Sequence, residues 1–86
     1  MKQFNYTITD PLGIHARPAG LLAKAAKSYA DTVVTVSKDG KSAKASQLMK
    51  LMALGVKHGS EITVSAEGPQ EDEAIAAMEK FFKENF

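Results

Sequence analysis

His15 and Arg17 are the residues whose types and spacing best fit chemistry, and both sit in the run GIHARPAG, residues 13–20. Gly13 marks a turn. Pro18 suits the first turn of a helix, and a residue before proline is pushed toward extended backbone. A helix is therefore expected to start near residues 16–18, with His15 just outside its N-terminal end. The amides of Ala16, Arg17, Ala19 and Gly20 are candidate free donors there, whereas Pro18 has none. Free amides at the positive end of a helix attract an anion. Arg17 adds a permanently charged, planar fork that matches phosphate oxygens.

A cation beside a positive helix end is disfavoured, so His15 is expected to favour neutral imidazole, the nucleophilic form. A phosphoryl group accepted on it would meet the amides and Arg17. The helix end contributes about 0.3–1 kcal/mol, or about 2 in favourable geometry. A charge-assisted hydrogen bond adds roughly 1.5–3 kcal/mol. A few kcal/mol holds a phosphoryl group without trapping it, as onward transfer requires. The bland alternative is a surface histidine beside an arginine paired to a carboxylate. That is the commoner meaning of an isolated H-x-R; the Gly13 turn and Pro18 bring the two readings level. No second His or carboxylate lies near His15 in sequence, so a Ser or Cys triad has no support. The other histidine, His58, is expected in an exposed loop. With no Cys in the chain, no metal site and no cofactor are expected.

The elements that must position this run follow from periodicity. Phe4, Tyr6 and Ile8 alternate with Asn5, Thr7 and Thr9, predicting a half-buried strand over residues 3–9 that Asp10-Pro11 and Gly13 end. A helix is predicted from about Pro18 to Tyr29, with Leu21, Leu22, Ala25, Ala26 and Tyr29 on its inner face. The β-branched run 32–37 and a short segment 41–45 read as strands joined by the Asp39-Gly40 hairpin signal. Residues 46–55 read as a short helix stopped by Gly55. Residues 61–67 form a fourth strand and about 70–84 a last helix, with Ala74, Ile75, Met78, Phe81 and Phe82 inward. The order is βαββαβα. The strands' other faces carry Asn5, Thr7, Thr9, Thr35, Thr63 and Ser65, so an antiparallel sheet open to water on one side is expected. That is a two-layer α+β sandwich; a ferredoxin-like split βαβ arrangement fits the same order.

The chain has 86 residues, 44% of them apolar and 24% charged. That composition fits one globular domain, expected over residues 1–86. The net charge of +1 is too balanced for nucleic-acid binding driven by bulk electrostatics. The first residues lack the apolar core of a signal peptide, and no apolar run approaches the ~20 residues of a membrane span. A cytoplasmic protein is expected.

Residues 13–20 resemble the active-site motif of HPr, the histidine-containing phosphocarrier family of the bacterial phosphoenolpyruvate-dependent sugar phosphotransferase system. The resemblance covers essentially the whole chain, including DGKSA and LMKLMALG. It implies that His15 takes a phosphoryl group from enzyme I on Nδ1 and passes it to enzyme IIA components, with Arg17 orienting it. It also implies an antiparallel sheet of order 1-4-2-3, covered on one face by three helices, in place of the ferredoxin-like option. By the same resemblance Leu48, Met49 and Met52 form an exposed docking patch, joined by Gly20 and ringed by Lys24, Lys27 and Lys50. Met adapts to several partners and lysines steer acidic ones; core filler is the alternative for both Met49 and Met52, and for Met52 the two readings are level. A monomer is expected.

Two departures stand out. Gly20 occupies a position where the family usually has a small residue with a Cβ. Gram-positive members carry a regulatory serine at the start of the second helix, modified by HPr kinase and tied to a catabolite regulator. Aligning the Asp-Gly turn and the Leu-Met-Lys-Leu run puts Gln47 there, and Ser46 one place early, because of an extra residue between Tyr29 and Asp39. Ser46 is therefore expected to cap the helix, with a shifted regulatory site as the alternative.

Overall fold

The computed structural model describes residues 1–11, 16–29 and 31–86. The elements run β1 (Lys2–Thr7), α1 (Ala16–Lys27), β2 (Val33–Lys38), β3 (Lys41–Lys44), α2 (Leu48–Ala53), β4 (Glu61–Glu67) and α3 (Glu71–Asn85). The strands form one antiparallel sheet of order β1-β4-β2-β3. This is the expected α+β sandwich in the order the resemblance implied, not the ferredoxin-like one.

The sheet's two faces follow from the period of two. Val34, Val36, Ala43, Ile62, Val64 and Ala66 are buried, and Ile8 continues their layer beyond β1. The opposite face carries Asn5 opposite Thr63, which donates its hydroxyl proton to Asn5 Oδ1 at 2.8 Å. Thr35 faces Ser65 on one side and Lys44 on the other. Asp39 (φ 51°) and Gly40 (φ 81°) both take positive φ between paired Lys38 and Lys41. A two-residue hairpin turn of the I′ kind needs this, and it matches the strands' twist.

α3 lies along β1, β4 and β2, and α1 packs against α2 and α3. Ala74, Met78 and Phe82 are fully buried, with Ile75 and Phe81 half-buried beside them. The Phe82 ring meets Phe4, Tyr6, Phe81 and Phe86 at centroid distances of 5.0–6.4 Å. Glu71, Asp72 and Glu73 occupy the first turn of α3, where negative charge suits the dipole. The N-terminal amino group of Met1 sits 3.0 Å from Glu71.

Three expectations need correction. Leu21 is not inward but 51% exposed; the buried stripe of α1 is Ala19, Leu22, Ala23 and Ala26. At about 100° per residue that stripe leaves Leu21 on the far side of the helix, about 150° from its centre, so Leu21 faces solvent. Tyr29 lies beyond the helix end. Second, α2 is shorter than residues 46–55, and its N-cap is Gln47, with no side-chain hydrogen bond. Ser46 precedes the cap position and does not cap the helix. Third, Leu48 is half-buried against the core rather than exposed. Gly55, at φ 70°, ends α2 as expected, and the Lys38 Nζ donates to its carbonyl oxygen at 2.9 Å.

Candidate functional site

α1 opens at Ala16, so the amides of Ala16 and Arg17 belong to a first turn that lacks intrahelical acceptors. His15 lies outside the described residues, one position ahead of that turn in sequence. Pro18 is buried and Arg17 exposed, which turns the guanidinium outward. Arg17 forms no ion pair with a described residue, so it is not the carboxylate-bound arginine of the bland alternative.

A cavity of about 240 Å³ opens beside Arg17, lined also by Asp10, Pro18, Leu21, Glu84 and Asn85. Three separate parts of the chain meet there, and hydrogen bonds join two of them, the residues after β1 and the end of α3. One Phe86 oxygen accepts from the Thr9 amide (2.6 Å), the Asp10 amide (2.7 Å) and the Thr9 hydroxyl (2.9 Å). The Asn85 side-chain amide donates to the Phe81 carbonyl at 3.0 Å. The end of α3 therefore fixes the chain leaving β1, six residues before His15. Asp10 and Glu84 bring carboxylates to the same cavity that Arg17 lines.

The other proposed residues fall on α1 and α2, which pack together. Lys24, Lys27, Met49, Lys50 and Met52 are exposed, Met49 at 77%. Gly20 is partly exposed, with open space where a Cβ would stand. Leu51 alone of α2 is buried, which leaves both methionines outside the core and removes the filler reading of Met52. Leu21 is the apolar surface residue that the sequence reading missed. Its signal was its position four after Arg17, which puts both on one helix face.

The family model described as the PTS HPr component phosphorylation site matches residues 2–84. The phosphocarrier protein HPr of Mycoplasma genitalium is 39% identical over 99% of this chain and 97% of its own length. The chain belongs to the HPr family. The HPr of Vibrio cholerae is 48% identical over 79% of each chain. Among solved structures, a histidine-containing phosphocarrier protein of Mycoplasma matches at TM-score 0.92 and 36% identity, covering 96% of this chain and 93% of its own. The catabolite-repression HPr, Crh, of Bacillus subtilis matches at TM-score 0.77 and 34% identity, covering 98% and 95%. The HPr fold and the phosphotransferase-system phosphocarrier class follow from membership.

Proposed function

We propose that this HPr chain accepts a phosphoryl group on His15 Nδ1 from phospho-enzyme I and donates it to enzyme IIA components. The observation carrying this reading is the exposed Arg17, without an ion pair among the described residues, in the first turn of α1 two positions after His15, in a chain matched along residues 2–84 to the HPr family. The Nδ1 lone pair attacks phosphorus; a P–N bond forms on His15 as the bond to the donor breaks. Transfer to the acceptor reverses this. The first-turn amides and Arg17 receive the phosphoryl oxygens with charge-assisted bonds of roughly 1.5–3 kcal/mol each. The imidazole is regenerated unchanged, so the protein is a covalently modified carrier without turnover of its own.

Residues 1–86 act as one domain in this reading, as a cytoplasmic monomer. No helix among the described residues is long and apolar enough to cross a membrane. Both large partners dock on the α1–α2 surface through Gly20, Leu21, Met49 and Met52, with Leu48 contributing its exposed part. Lys24, Lys27 and Lys50 steer acidic partners. Incubation with phosphoenolpyruvate and enzyme I adds one phosphoryl mass, and His15→Ala abolishes the gain. A wild-type chain that gains nothing with competent enzyme I refutes the carrier reading.

The likeness to Crh supports a second reading, a regulatory module acting on protein partners. Capture of a transcription regulator that persists in His15→Ala favours it. A paralogous nitrogen- or dihydroxyacetone-related chain shares the chemistry and differs in partners alone. Within the regulatory reading Ser46 is the candidate kinase target, since it has no capping duty and Gln47 holds the N-cap. Incubation with ATP and HPr kinase followed by phosphosite mapping decides it; no label on Ser46 removes that role.

A further inference from the structure

A second cavity, of about 290 Å³, opens where the last turn of α1 meets the end of the β2–β3 ladder. Its polar lining is Lys27, Tyr29, Thr32, Lys44 and Ser46, and no acidic side chain lines it. Arg17 and Lys27 are ten residues apart on α1, about 15 Å along the axis. The cavity is thus separate from the one beside Arg17.

Two features give it a chemical preference. Neither Lys27 nor Lys44 forms an ion pair with a described residue, and the Ser46 hydroxyl has no hydrogen-bond partner among them. Two like charges therefore border one recess without compensation, beside an idle donor. Thr32, only 5% exposed, accepts from the Gln70 amide at 2.9 Å. Its oxygen is thereby fixed while its own proton remains to donate. A recess lined by two lysines and hydroxyl side chains suits a compact dianion, whose oxygens accept from several directions at once.

We propose that this cavity binds a phosphate dianion, either inorganic phosphate or the phosphate of a small monoester. Lys27 and Lys44 supply the charge, and the hydroxyls of Ser46 and Thr32 supply directed hydrogen bonds. Occupancy neutralises Lys27, one of the cations on the proposed partner surface, but binding itself does not depend on His15 chemistry.

Amide-resolved NMR titration of the full chain with inorganic phosphate, against chloride at equal ionic strength, tests this. Saturable shifts are expected at Lys27, Tyr29, Thr32, Lys44 and Ser46. Lys27→Gln and Lys44→Gln each weaken the response about three- to tenfold, as expected for exposed charge contacts. Lys50→Gln, with an exposed lysine outside the cavity, leaves it unchanged. Thermal unfolding checks that each variant folds. A parallel titration with glucose 6-phosphate separates the sources: tighter binding than phosphate assigns a monoester, equal or weaker binding the free ion. Shifts confined to the start of α1, shifts indifferent to both cavity lysines, or no saturable shift would overturn the proposal.

Discussion

Arg17 and Leu21 lie one helical turn apart, on the outward side of α1. In the proposed carrier the first meets the phosphoryl charge and the second the apolar surface of a partner. Arg17→Ala should slow phosphorylation by enzyme I about tenfold or more, the cost of one charge-assisted bond. Arg17→Lys should recover only part of that, since a point charge cannot replace the fork. Single-turnover phosphorylation of the two variants measures both. A separate expectation concerns Glu71, whose pKa is held below the ordinary carboxylate value, first by a hydrogen bond from the Met1 amino group, against a smaller opposing effect of burial. A carboxylate with a lower pKa in the folded state stabilises the fold above its unfolded-state pKa and loses that effect as pH falls through the folded value. Glu71→Gln should therefore flatten the acid limb of stability as pH falls through and below the ordinary carboxylate value of 4.5, as read by urea unfolding.

At the scale of elements, the ends matter more than the middles. α2 has six residues and no side-chain cap, too short to persist without packing; buried Leu51 and the Gly55 stop hold it. Gly55→Ala places a Cβ in open space but in left-handed backbone, costing about 1–2 kcal/mol. Gly68 also has positive φ, 144°, and an added Cβ there would press on the Asp31 carbonyl oxygen and Thr32 Cα. Gly68→Ala should therefore destabilise more than Gly55→Ala. Gly20→Ala, within α1 and facing open space, should instead stabilise by about 0.5–1 kcal/mol. Denaturant melts of the three variants rank them, and any other order contradicts this account.

For the whole molecule, stability rests on buried apolar residues and the proposed docking on exposed ones. Phe82, fully buried at the centre of the aromatic cluster, should cost about 3–5 kcal/mol on truncation to Ala. Met49→Ser, at 77% exposure, should change stability by less than about 0.5 kcal/mol. It should still raise the KM for phosphorylation by enzyme I, with kcat nearly unchanged. A Met49→Ser variant that unfolds early would return Met49 to the core.

Periodicity made the seven elements legible because local geometry, two residues per strand repeat and 3.6 per helical turn, dictates which positions share a face. The Asp39-Gly40 turn, the Gly55 stop and the inner face of α3 were readable for the same reason. The placement of Arg17 at a helix start came from Pro18 alone. Strand order was not readable from pattern, because the same alternation serves the ferredoxin-like arrangement; family resemblance supplied it and the sheet bears it out. Only tertiary packing decided which leucine of the Leu21-Leu22 pair turns outward, since that depends on where α2 and α3 lie against α1. Packing also set Gln47 rather than Ser46 at the start of α2. It brought Phe86 onto Thr9 and Asp10, and Lys27 and Lys44 to the lining of one cavity, because contacts between residues distant in sequence exist only once the sheet has closed the chain on itself.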